Sequence, residues 1–188
     1  MTTGAKRDYL TIILIVVVVA MGFEIVYLVQ QNRKLSAMLE NPGSSFQTLA
    51  RSDIVPPLSG TDIYGQPLEI AYTPGSPHTV LIWFSPTCHS CEENLAFWRE
   101  IYAAHNFDRV RFLGLCDVPV EEARAFAQQH QLAFPIVSIT DDRLIEVYKG
   151  RVMPQTVLVS PTGEIIDSWP GALSEQFQRI IRDSLSKL

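Results

Sequence analysis

Cys88-His89-Ser90-Cys91 stands where one periodicity stops and another begins. Ahead of it, Thr79-Val80-Leu81-Ile82-Trp83-Phe84 is an unbroken apolar run of strand length, as a strand covered on both faces requires. Behind it, Cys91 to Ile101 reads as a helix, with Leu95, Trp98, Ile101 and Tyr102 on one face. Two cysteines with two residues between them at a strand-to-helix turn can close a small disulfide ring. The same turn puts the first sulfur at a helix N-terminus, where orphan N–H groups and the macrodipole favour a thiolate. A thiolate at an exposed turn is the attacking species of thiol–disulfide exchange.

The flanking sequence continues the alternation of strand and helix. Pro56 to Ile70 reads as two short strands around a glycine turn, and Pro74-Gly75-Ser76-Pro77 marks a second turn. The spacing then predicts strand 79–84, helix 91–105, strand 109–115, helix 119–131, short strand 135–139 and a helical turn at 141–148. Strand 155–159, turn Ser160-Pro161-Thr162-Gly163, strand 164–169 and a last helix from Ser174 follow. Phe177, Ile180, Ile181, Leu185 and Leu188 share a face of that last helix, and Pro119 with Glu121 and Glu122 marks a helix start. The opening strand–helix–strand implies a right-handed crossover and a parallel pair. The closing strand–turn–strand implies an antiparallel pair at one edge. The expected fold class is therefore α/β, a mixed central sheet flanked by helices.

The amino-terminal part is different. A short tail, 1–9, carries Lys6 and Arg7, and residues 10–29 are apolar apart from Glu24 near the far end. That length matches the ~20 residues needed to cross a hydrocarbon core as a helix. Val18-Val19-Ala20 offers the rival reading of a cleaved leader, but the apolar stretch runs well past it, which favours an uncleaved transmembrane anchor. Lys6 and Arg7 favour a cytoplasmic N-terminus; Arg33 and Lys34 weaken that bias. The expectation is a single pass through the cytoplasmic membrane, lipid around the N-terminal helix, and a C-terminal domain facing the periplasm or cell exterior. Residues 30–54 read as a helical stub and linker, stopped at Asn41-Pro42-Gly43, with the globular domain at 55–188. Ile25, Leu28, Asn32, Leu35 and Leu39 fall at coiled-coil spacing, which would give a weak homodimer through residues 25–39. Two heptads are too short to establish that, and a continued membrane helix is the preferred reading.

Charge and cysteine usage exclude several classes. A net charge of −5 with no basic stripe argues against nucleic acid as a partner. Three cysteines are too few for a disulfide scaffold and lack the second pair of an all-thiolate zinc site, so no metal is expected. Cys116, ending a predicted strand, is expected to pack as a small buried hydrophobe rather than serve as a third redox thiol. Trp83, Phe84 and Trp98 are expected in the core, and Asp141 and Asp142 at a helix start.

Taken together, the order of elements resembles the thioredoxin fold over roughly residues 55–186. In particular it resembles the membrane-anchored TlpA, ResA and MauD group of extracytoplasmic thiol–disulfide oxidoreductases. Leu81 to Cys91 matches that group's strand and CxxC turn, and Ser85-Pro86-Thr87-Cys88 is similar to the MauD branch. Val152-Met153-Pro154-Gln155-Thr156 and the residues through Ile166 match its proline loop and following hairpin. The resemblance implies a cis Met153–Pro154 bond facing the cysteines, with Met153 backbone offered to a substrate strand. It implies Cys88 as attacking thiolate, Cys91 as resolving thiol, and no cofactor beyond their redox-active disulfide. Partners would be protein thiol or disulfide clients and a membrane or extracytoplasmic redox partner, in maturation of cytochrome c or of a periplasmic enzyme.

His89 when protonated, and the Ser90 hydroxyl, are candidates for tuning the Cys88 thiolate. The chain also departs from the pattern. Thr87 stands where many group members have Trp, and Ile82 where thioredoxins place a buried Asp. Asn94 stands where many ResA-like relatives have Glu, with Glu92 and Glu93 just before it. A one-residue shift turns a helical side chain by about 100°, so Glu93 is a proton-handling candidate that the resemblance does not assign. Two alternatives share the fold. A copper-binding chaperone would use Cys88 and Cys91 with His89 or a distant His, yet His78, His105 and His130 occupy no recognisable position for it. A thiol peroxidase is suggested by Pro86-Thr87-Cys88, with the wrong threonine-to-cysteine separation.

Overall fold

The computed structural model describes residues 18, 20–25, 27–29, 47–105 and 108–188 and divides the chain into two units, 1–44 and 45–188. In the first unit the described residues are helical, and Val18, Met21, Phe23, Ile25, Tyr27, Leu28 and Val29 are exposed. Among the described residues no helix is long and apolar enough to cross a membrane. The tail 1–9, half of the expected anchor 10–29 and the stub with its heptad spacing beyond Val29 lie outside the described residues.

In the second unit the elements are β1 (Leu58–Asp62), β2 (Pro67–Ile70), β3 (His78–Trp83), α1 (His89–Ala103), β4 (Val110–Cys116) and α2 (Val120–Gln129). Then come β5 (Ile136–Ser138), α3 (Asp142–Val147), β6 (Gln155–Val159), β7 (Ile165–Pro170) and α4 (Glu175–Ser186). The seven strands form one sheet in the order β2-β1-β5-β4-β3-β6-β7. β3, β4 and β5 are parallel, and β6 runs antiparallel to β3, with Trp83 opposite Gln155. Every element expected between residues 56 and 188 is present, with ends within two residues of the expected positions.

Side-chain alternation along β3 explains why it reads as continuously apolar. Val80, Ile82 and Phe84 enter a core shared with α1, α2 and α4, while Leu81 and Trp83 enter a second core with Ile145 of α3 and Leu49, Val55 and Leu58. Both faces are dry. That packing also corrects the expected start of the domain. Leu49 is only 3% exposed, and its N–H donates to Gln155 Oε1 at 3.1 Å. Val55 N–H donates to the Gly163 carbonyl, and Ile54 bridges Glu164 beside β7. The linker therefore ends before Leu49, because a segment without periodicity is held by single long-range bonds that no local pattern announces.

Helix α3 leads into the loop before β6, and its end shows two constraints settled separately. Lys149 N–H donates to the Glu146 carbonyl and Gly150 N–H to the Ile145 carbonyl, the paired bonds of a Schellman stop. The left-handed residue of that stop is Lys149, at φ 52°, not the neighbouring glycine. Gly150 is glycine for another reason: a Cβ there would lie 2.5–2.8 Å from three carbons of the buried Trp83 ring. Lys149→Gly should therefore raise stability by about 0.5–1 kcal/mol, its exposed bond to Gln47 contributing little. Gly150→Ala should lower it by about 1–3 kcal/mol. Urea midpoints at constant slope read both; an unperturbed Gly150→Ala would mean the Trp83 ring is not held where it lies. Tyr148, buried beside this loop, donates its hydroxyl to the Pro56 carbonyl and meets the Tyr72 hydroxyl, and burial pushes both phenols above their ordinary range.

Candidate functional site

Strand β3 ends when Phe84 N–H donates to the Leu115 carbonyl of β4, and the chain then turns back on itself. Ser85 and Thr87 hydroxyls pair at 3.1 Å across that turn, and Cys88 N–H donates to the Ser85 carbonyl at 3.1 Å. Cys88 is thereby the N-cap of α1, with extended backbone and no side-chain capping bond. Helix α1 begins at His89, two residues before the apolar pattern does, since His89 and Ser90 face solvent and hydrophobic periodicity cannot register them.

Cys88 and Cys91 are joined as a disulfide, their Cα atoms 5.3 Å apart, within the ordinary range for such a bridge. The two sulfurs sit in different surroundings. Cys91 is fully buried on the inner face of α1, and Cys88 is partly exposed. A partner can therefore reach Cys88 and not Cys91. At the N-cap, a Cys88 thiolate would face the unpaired N–H groups of the first turn, which favours the charged form.

The Met153–Pro154 bond is cis, as the resemblance implies. Pairing of Trp83 with Gln155 puts the start of β6, and Pro154 just before it, alongside the end of β3 from which the cysteine turn departs. Met153 is half-buried and packs against both cores, sharing with Cys88 the one on the α1 side. The other residues singled out in the sequence are less involved. The His89 side chain is 90% exposed, with Nδ1 3.7 Å from Glu92 Oε2. Ser90 and Glu93 are exposed, and among the described hydrogen bonds none joins His89, Ser90 or Glu93 to either sulfur. Among the described residues no group of three or more His, Cys, Asp or Glu side chains is placed to hold a metal.

Two residues near the turn, Trp98 expected only in the core and Asn94 noted only where relatives carry Glu, make hydrogen bonds that the sequence did not lead us to anticipate. Trp98 Nε1–H donates to Thr156 Oγ1 at 3.0 Å, tying α1 to β6. Asn94 is buried and bonds through both ends of its amide to the loop after β7. A signal was present: Cys91, Asn94, Leu95, Trp98 and Ile101 form one inward stripe, and a polar residue within such a stripe needs internal partners.

Cys116 is buried as expected, its thiol donating to the Val137 carbonyl. Burial pushes it up to about 12. The neutral thiol is thus the folded form, so its contribution is complete below pH ~9 and is lost as pH rises from there toward 12. Folded protein should leave Cys116 unalkylated at pH 8 while reduced Cys88 reacts; equal labelling would show Cys116 accessible.

The family model described as AhpC/TSA matches residues 52–168. A curated thiol-disulfide oxidoreductase ResA from Halalkalibacterium halodurans is 25% identical over 116 residues, 61% of this chain and 65% of the relative. The chain thus spans just under two thirds of that relative's length. Two solved structures share the fold. The thioredoxin domain of thiol-disulfide oxidoreductase BVU-2223 from Bacteroides vulgatus aligns with TM-score 0.61 and 17% identity, over 73% of this chain and 99% of that one. StoA from Bacillus subtilis aligns with TM-score 0.55 and 24% identity, over 68% and 98%. The architecture is thioredoxin-like.

Proposed function

This chain belongs to the AhpC/TSA family, and from that membership and the site's geometry we propose that it is a thiol–disulfide oxidoreductase acting on protein clients through Cys88 and Cys91. The observation that carries the reading is the unequal exposure of two bonded sulfurs at a helix N-cap beside the Met153–Pro154 loop. Similarity to proteins named thiol-disulfide oxidoreductase ResA supports it.

In the reducing direction, the Cys88 thiolate attacks one sulfur of a client disulfide. A Cys88–client bond forms, the client's S–S bond breaks, and its second sulfur leaves as thiolate. Cys91, once deprotonated, attacks Cys88 Sγ, closing the ring seen here and expelling the client's first thiolate. The client gains two electrons and takes two protons, and the pair loses both. Reversed, the closed ring oxidises a client dithiol. Direction follows the pair's potential relative to its compartment, where ~30 mV changes the ratio tenfold.

Tethering belongs to the same proposal. Residues 10–29 would hold the domain at the outer face of the cytoplasmic membrane, toward the periplasm or exterior, with a membrane redox partner resetting the pair. Clients in maturation of cytochrome c or of a periplasmic enzyme fit that placement. His89, Ser90 and Glu93 would act on the thiolate only through solvent.

Cys91→Ser is the decisive trap. It leaves the first attack intact and removes release, so mixed disulfides should accumulate on non-reducing gels and vanish with dithiothreitol. Their absence from cells holding folded variant would sink the reading. Stoichiometric copper without exchange would favour the chaperone, and peroxide turnover undiminished in Cys91→Ser the peroxidase.

A further inference from the structure

Asn94 lies one turn after Cys91 and is 1% exposed. Its Nδ2 donates to the Gly171 carbonyl at 3.1 Å, and its Oδ1 accepts from the Leu173 N–H at 2.8 Å. Those partners fix the amide's orientation, since the flipped form would set donor against donor. Gly171 in turn donates its N–H to the Pro154 carbonyl at 2.8 Å, from a φ of 83° that a residue without Cβ holds freely. A continuous path of hydrogen bonds thus runs from the cysteine-bearing helix, through the 171–173 loop, to the residue after Met153.

This path is stiff at both ends. Breaking either bond of Asn94 would strand a polar group in a dry core, so the amide works as a strut. Trp98, one turn further along α1, braces the same helix against Thr156. Among the described hydrogen bonds none involves the backbone of Met153, which lies between α3 and β6. An extended peptide can pair with a backbone segment that lies outside the strands. Asn94 itself carries no proton that titrates near neutral pH, so a relay role does not suit it.

We infer that, within the exchange reaction proposed above, Asn94 is a positioning residue that holds the Met153–Pro154 backbone in register with Cys88 for peptide clients. A small disulfide, which needs only the sulfur, does not depend on it.

The test compares two substrates on the full chain, a disulfide-bonded peptide and bis(2-hydroxyethyl) disulfide. Asn94→Ala should raise the peptide KM about tenfold, the equivalent of one lost hydrogen bond. The rate with the small disulfide should stay within about twofold of wild type. Equal loss on both substrates, or on neither, overturns the inference. Gly171→Ala disturbs the same path from the loop side and is read identically should Asn94→Ala fail to fold. Wild-type protein inert toward both substrates would overturn the exchange reading and this inference with it, so the two failures are told apart.

Discussion

Cys88→Ser should lower disulfide exchange by at least about a thousandfold while leaving the domain folded. A serine hydroxyl cannot form the mixed disulfide, and the remaining sulfur cannot substitute, because Cys91 is fully buried on the inner face of α1. Folding should survive, since Cys88 is partly exposed and the lost bridge closes a ring of sequence separation three, too short to restrain much unfolded chain. Dithiothreitol-driven reduction of insulin reads the activity, and a urea midpoint reads the fold. The contrast with Cys91→Ser is the informative part: one variant abolishes attack, the other abolishes release. Exchange in Cys88→Ser above a tenth of wild type would show that another thiol does the chemistry. Cys116, pushed up to about 12 by burial, is a poor candidate.

Trp98→Ala carries the largest expected effect on stability, about 3–5 kcal/mol against a total of about 5–15 kcal/mol for a domain of ordinary size. The indole is fully buried in the core formed by α1, β3, β4 and α4. Its removal leaves a cavity and an unpaired Thr156 hydroxyl. Trp98→Phe separates the two contributions, keeping most of the volume and losing only the donor, for about 1–2 kcal/mol. Both should move the urea midpoint without changing its slope. Because Trp98 ties the cysteine-bearing helix to the strand that follows Pro154, exchange should fall with the folded fraction. A folded Trp98→Ala with an unshifted midpoint would refute this account of how α1 is held.

Much of the architecture was legible in the sequence, and each success has a local cause. The apolar run ending at Phe84 and the inward stripe Leu95, Trp98, Ile101 produce β3 and α1 wherever they stand, because period and burial are properties of neighbouring residues. Ser174 begins α4 as its N-cap, accepting from Phe177 N–H, and Asp141 caps α3 in the same way. The misses share a cause too. Helix α1 starts early because exposed His89 and Ser90 carry no hydrophobic signal, and Leu49 belongs to the domain through a bond to Gln155, far along the chain.

The chemistry open to the site follows from the sequence by itself: two sulfurs two residues apart at a strand-to-helix turn can form a ring whose first member caps a helix. The sequence pointed to Cys88 and, through its resemblance, to the Met153–Pro154 loop, but the burial of Cys91 and the seating of that loop were decided by tertiary structure. Insertion of β6 next to β3 brings Pro154 to the cysteine turn, and packing of α1 buries Cys91 and gives the Asn94 amide its two partners in the loop after β7. Those are contacts between residues tens of positions apart, and their energies depend on which surfaces exclude water together, a property of the assembled sheet and helices rather than of any stretch of chain.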